Sequence, residues 1–308
     1  MAKKDLSLSR RSFLAGSGIA GALVLSACSD AGAGDTGAAA PNPGVDPSHQ
    51  VTIAMSTTNE PDAGFDPCVA WGCGEHVHEP LIQSTLIHTT EDMGFECDLA
   101  TSYECSDDKL TWTFKLRDDA KFSDGEPVRA SDAAFTLNTI RGSKNAQADL
   151  SMVEDASAPD DATLVVKLSK PYNALLYTLA VVGIVPEHAY GPDYGQKPIG
   201  SGRYVLTQWD RGQQVILDAN PSYYGEKPQI ERVVVVFMEE DAALAAAKSG
   251  QVDMAYTSAT LADQQVGGYT LESYDTVDSR GVQLPVVPAG AEREDGPNTY
   301  PAGNDVTC

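Results

Sequence analysis

The chain has 308 residues and a formal net charge of −23. That length holds one large or two medium domains, and such acidity repels nucleic acid, anionic lipid and polyanionic ligands. It does not select a cationic ligand, because acidic surfaces are common on solvated exported proteins.

The first element is an export signal. Arg10 and Arg11 form a basic start, residues 13–25 an apolar run too short to span a bilayer, and small residues then lead to Cys28. Arg10-Arg11-Ser12-Phe13-Leu14 resembles the signal of the twin-arginine route, and Leu25-Ser26-Ala27-Cys28 resembles a bacterial lipobox. The implied product is an extracytoplasmic protein, with residues 1–28 as signal and Cys28 lipidated as a membrane anchor. Gly16-Ser17-Gly18-Ile19-Ala20-Gly21 satisfies a dinucleotide-binding fingerprint, but no strand precedes it and the signal would be cleaved away. Residues 29–49 are rich in Gly, Ala, Pro and Asp and read as a flexible linker.

Six cysteines suit an oxidising exterior. With Cys28 assigned to lipid, Cys68 lies near Cys73 and Cys97 near Cys105, so two local disulfides are expected, leaving Cys308 without a partner. Neither pair has CxxC spacing, and the exported location favours disulfides over metal ligation.

Beyond the linker, residues 50–55 alternate weakly and predict a strand, followed by turn formers over 59–67. Residues 70–86 predict a helix that passes Glu79-Pro80-Leu81 and enters a strand near Thr85. Leu110, Trp112, Phe114 and Leu116 alternate with polar residues and predict a half-buried strand; Leu164, Val166 and Leu168 predict a partner for it in an antiparallel sheet. Between them, Ser131 or Asp132 can cap a helix with Ala133, Leu137 and Ile140 on one face. Residues 233–238 are uninterrupted and apolar, as in a strand buried on both faces. An Ala-rich helix over 241–249, Gly250 as its cap and a strand over 251–256 complete a βαβ unit of parallel character.

Two stretches carry a family likeness. Residues 97–104 with 110–132, which include Lys121-Phe122-Ser123-Asp124-Gly125-Glu126-Pro127, resemble the signature of the family 5 extracellular solute-binding proteins, the peptide and nickel receptors of ABC importers. Ile199-Gly200-Ser201-Gly202-Arg203-Tyr204, then Trp209, Leu217 and Asn220-Pro221-Ser222-Tyr223-Tyr224-Gly225, are similar to its second hallmark, as is Ser249-Gly250-Gln251-Val252-Asp253. The resemblance implies an α/β fold of the periplasmic-binding-protein type, class II, dipeptide/oligopeptide kind. Residues 50–265 would form the first lobe, with an inserted antiparallel subdomain over 88–195. Residues 266–308 would be the incomplete start of a second lobe, so the chain reads as truncated relative to that family.

Both motifs read as scaffold. Gly125 supplies a positive φ with Phe122 packed beneath it, and Gly200 and Gly202 allow a crossing segment to approach closely. The implied function is binding without catalysis or cofactor: capture of a short peptide and delivery to permease subunits driven by a cytoplasmic ATPase. Trp71, Glu75 and His78 are the candidate ligand contacts. Glu75-His76-Val77-His78-Glu79 motivates an alternative, a nickel or metal-chelate receptor. On a helix Glu75, His78 and Glu79 share a face; on a strand His76 and His78 align as metal ligands. An exported hydrolase finds no support in motifs such as GxSxG or HExxH, and a sensor or interaction module is the remaining reading.

Overall fold

The computed structural model describes residues 46–69, 80–90, 92–144, 146, 148–257, 261 and 264–272. In chain order the strands and helices are β1 (Gln50–Met55), β2 (Ile87–Thr89), β3 (Phe95–Cys97), β4 (Ala100–Cys105), β5 (Thr111–Leu116) and α1 (Ala130–Gly142). There follow β6 (Val153–Asp160), β7 (Thr163–Leu168), α2 (Leu175–Leu179), β8 (Tyr204–Asp210), β9 (Gln214–Ala219), β10 (Arg232–Phe237), α3 (Glu240–Ser249) and β11 (Met254–Ala255).

β5 forms where the period-two alternation predicts it. Phe114 and Leu116 are buried on one face while Lys115 is exposed on the other. Its antiparallel neighbour is β7, with Phe114 opposite Leu164 and Trp112 opposite Val166. β4 and β6 complete a four-stranded antiparallel sheet in the order β4-β5-β7-β6. The amphipathic helix α1 lays Ala133, Leu137 and Ile140 into the same core as Phe114, Leu164 and Val166. Its cap is Arg129, two or three residues before the expected Ser131 or Asp132. Asp132 is the third helical residue and reaches back to accept from the Arg129 backbone N–H at 2.8 Å, so the helix begins at Ala130.

The second layer is a five-stranded sheet in the order β11-β1-β10-β9-β8. The predicted βαβ unit is real but interleaved: β1 inserts between β10 and β11 and is parallel to both. β9 and β8 add antiparallel strands, which makes the sheet mixed. Ala-rich α3 packs Ala243, Ala246 and Ala247 on Ala54 and covers one face. It ends at Gly250, whose φ of 73° is the left-handed conformation that favours glycine. The other face is closed by Ile82 and Phe65, packed on Val215, Leu217, Val233 and Phe237.

Residues 80–86 are not helical as predicted; they run as irregular chain before β2 begins at Ile87. Pro80 forbids a continuous helix, and tertiary clamping does the rest. A Cβ on Gly200 would lie 2.0 Å from the Ile82 carbonyl oxygen, and one on Gly202 would lie 2.4 Å from that of Leu81. The bare glycine backbone lets Gly202 N–H donate to Ile82 at 2.8 Å and Tyr204 N–H to Leu81 at 3.0 Å. The predicted strand over 251–256 is only two residues long: β11 pairs in register with β1 at Met254 and Ala255, with flanking bonds from the Asp253 N–H to Thr52 and the Tyr256 N–H to Ala54.

Candidate functional site

β9 is antiparallel to β10, and β8 is antiparallel to β9, so β8 runs in the same direction as β1, β10 and β11. The carboxyl ends of four strands therefore meet at one rim, the place where open α/β sheets expose loops and backbone groups to ligands. Residues 56–60 leave β1 there, the turn at 211–213 joins β8 to β9, Met238 and Glu239 follow β10, and Tyr256 follows β11.

The rim is tied together by specific bonds. Ser56 caps a short 3₁₀ turn over Thr57–Asn59, and Thr57 Oγ1 donates to Glu239 Oε1 at 3.0 Å. The Met238 N–H donates to Met55 and the Tyr256 N–H to Ala54, both at 2.9 Å. Glu60 accepts from Trp209 Nε1 at 2.8 Å, and both of its carboxylate oxygens accept from the Gly212 N–H at 2.9 Å. Phe65 sets its ring edge-on to Trp209 at 5.0 Å, and the Arg211 guanidinium lies 4.1 Å from the Trp209 ring centroid. A carboxylate, a guanidinium and two aromatic rings are thus fixed by one another at the β8 end of the rim, while exposed Tyr256 lies at the β11 end, on the opposite edge of the sheet. Such groups can orient a polar ligand by hydrogen bonds and stacking.

Trp71, Glu75, His76, His78 and Cys73 lie outside the described residues, but both attachments of their segment are described. On the entering side, Asp66 is buried and accepts from Tyr190 Oη at 3.0 Å and from the Cys68 N–H at 2.9 Å. Burial raises the Asp66 pKa against those hydrogen bonds. Burial, then the neighbouring Asp66 charge, pushes the Cys68 thiol up to about 12. The Phe65 N–H donates to the Gly195 carbonyl at 2.8 Å. On the returning side, Gln83 donates to Phe65 at 3.0 Å and to Tyr194 Oη at 3.2 Å, and the Ile184 N–H donates to Ser84 at 2.9 Å. Residues 65 and 83 are therefore pinned to each other and to the 184–195 segment.

The expected Cys97–Cys105 disulfide needs correction, while the expected Cys68–Cys73 pair involves Cys73, which lies outside the described residues. Cys68, Cys97 and Cys105 carry free thiols. Cys97 ends β3, whereas Cys105 ends β4, opposite Trp112 and at the far end of the strand from Ala100. Five extended steps carry the chain about 16 Å from Ala100, three residues after Cys97, to Cys105, more than twice the 7 Å limit for bridging. Closeness in sequence misled here because a strand is the most extended conformation the intervening residues could take. Among the described residues no three His, Cys, Asp or Glu side chains gather closely enough to hold a metal ion. No described helix is long and apolar enough to cross a membrane.

Sequence reasoning treated Glu60 as one of a run of turn formers and missed its part in the rim. The available signal was an acidic residue directly before Pro61, where a loop ought to need only turn residues. Residues 94–284 match the profile of the bacterial extracellular solute-binding proteins, family 5. The chain belongs to this family. Its family 5 relatives include a putative ABC transporter peptide-binding protein of Brucella ovis, 38% identical over 173 residues, covering 52% of this chain and 33% of the relative. A probable D,D-dipeptide-binding periplasmic protein of Escherichia coli is 39% identical over 212 residues, covering 62% of this chain and 40% of the relative. Among solved structures, NikZ from Campylobacter jejuni in complex with Ni(L-His) aligns with a TM-score of 0.63 at 26% identity, over 70% of this chain and 45% of that one. The chain thus spans less than half the length of these proteins. The likeness accounts for the fold class expected from the sequence, since both hallmark stretches fall within residues 94–284.

Proposed function

We propose that this family 5 protein is an exported, lipid-anchored substrate-binding component of an ABC importer, capturing short peptides for permease subunits coupled to a cytoplasmic ATPase. The observation that carries the reading is its likeness, at 38% and 39% identity, to proteins named for binding peptides and D,D-dipeptides. The rim supplies suitable chemistry. A short peptide carries a backbone of donors and acceptors and charged termini, and the Glu60, Trp209 and Arg211 group offers hydrogen bonds, charge of both signs and an aromatic face. Trp71, Glu75 and His78, on the segment held by Asp66 and Gln83, are its proposed ligand contacts. Lipidation at Cys28 would hold the protein on the outer side of the cell membrane.

A second reading, capture of nickel or a nickel chelate, is favoured by the Glu75-His76-Val77-His78-Glu79 run and by the likeness to NikZ with its Ni(L-His) ligand. Thermal unfolding with di- and tripeptides, and separately with nickel and nickel–histidine, tests both. Peptide binding raises the melting temperature as ligand concentration exceeds Kd, while nickel leaves it in place. Stabilisation by nickel–histidine alone, abolished by His78→Ala, overturns the peptide reading in favour of the metal one.

A further inference from the structure

The tip of the β2–β3 hairpin carries an apolar side chain that its own backbone disfavours. Met93 adopts φ +63°, the left-handed region that Gly and Asn occupy most easily, and its side chain is 55% exposed. The tip is held in place: the Met93 N–H donates to Thr90 and the Thr90 N–H to Gly94, both at 3.0 Å, and Asp92 accepts from Thr90 Oγ1. Neither conformation nor solvation explains a methionine there, since both favour a small polar residue.

Met93 does not stand alone. Tyr177 of α2, 43% exposed, donates from its hydroxyl to the Met93 carbonyl at 3.4 Å and packs edge-on against Phe95 at 4.6 Å. A flexible thioether and a rigid aromatic ring are thus exposed on segments joined by that hydrogen bond, residue types used at the centre of protein–protein contacts. The hairpin itself carries the exposed carboxylates of Asp92 and Glu96, the latter 3.3 Å from His88, on a chain whose formal net charge is −23. That field disfavours an anionic membrane and a second copy of this acidic chain alike.

We propose that Met93 and Tyr177 form an interaction knob that seats in an apolar socket bordered by Lys or Arg on a protein partner. The knob lies on the hairpin and α2, so it can act whatever ligand the chain carries. The test uses the full chain carrying Cys28→Ala, which removes the lipid anchor and the need for detergent, with three probes: an amphipathic helical peptide of Lys and Leu, polylysine of matched charge, and phosphatidylglycerol vesicles. The Lys/Leu peptide should bind at least about tenfold tighter than polylysine. Met93→Asn should remove that advantage without lowering the melting temperature, because Asn suits the left-handed tip. Glu96→Gln should weaken the salt dependence. Equal binding to both peptides, no binding to the Lys/Leu peptide, wild-type affinity in Met93→Asn, preference for the vesicles, or self-association lost on Met93→Asn each overturns the proposal.

Discussion

Gly200→Ala should be among the most damaging single-methyl changes in this protein, and the geometry sets how damaging. The new Cβ would meet the Ile82 carbonyl oxygen at 2.0 Å, its carbonyl carbon at 2.6 Å and its side chain at 3.1 Å, whereas ordinary contact begins at 3.4 Å. Two of those atoms are backbone, so no side-chain rotation relieves the clash. One of the two segments must retreat, and both are bonded on each side of the contact. Gly202 donates to Ile82 at 2.8 Å, Tyr204 to Leu81 at 3.0 Å, Ser123 to Gly200 at 2.9 Å, and Ser84 Oγ to Ser201 at 3.0 Å. Overpacking costs about 1–3 kcal/mol, and each of these bonds that is lost adds about 1 kcal/mol. A total near 4 kcal/mol corresponds to a fall of roughly 8–16 °C in melting temperature. Gly125→Ala is the control: its φ is +96° and nothing lies within 4 Å of the new methyl, so backbone strain alone applies, about 1 kcal/mol. Urea unfolding of both variants measures the two costs. If Gly200→Ala lies within about 1 kcal/mol of the wild type, or the two variants cost the same, the close crossing does not constrain the fold as argued.

Three other outcomes can be measured with the same material. Arg232, its side chain 4% exposed, donates to both oxygens of Asp218 at 2.6 and 2.8 Å, so Asp218→Asn leaves a buried cation uncompensated and should cost about 3 kcal/mol at neutral pH. The hydrogen bonds from Arg232 lower the Asp218 pKa, so this stabilisation is complete above the unfolded-state value and fades as pH falls through the folded one. The stability gap between wild type and variant should therefore narrow below about pH 4; a gap unchanged in acid would place its origin elsewhere. In the native chain, exposed Cys97 should react with a thiol reagent at mild alkaline pH while buried Cys68 stays inert until unfolding, and a Cys97–Cys105 link in a non-reducing peptide map would contradict the strand geometry. Cys28→Ala should move the protein from the membrane fraction to the soluble one, and retention in the membrane would rule out the lipid anchor.

The sequence by itself determined the elements whose burial pattern is local. β5 and β7 follow their period-two alternation, α1 its apolar face, and β10 with α3 and Gly250 their apolar run, alanines and glycine stop. In each case a side chain's fate depends on neighbours two to four residues away, which the sequence states directly. Tertiary structure alone decided what depends on distant partners. Ile82 lies flat and non-helical because glycines 118 and 120 residues later admit it, and β1 enters between β10 and β11 although the sequence shows only a simple βαβ repeat. Cys97 and Cys105 stay apart because hydrogen bonding to β5 holds the intervening chain extended. Glu60 joins the rim because Trp209 and Gly212, some 150 positions on, turn their N–H groups toward it. Hydrogen-bond partners and close approaches of this kind are set by where the backbone returns, and no local pattern of residue types encodes that position.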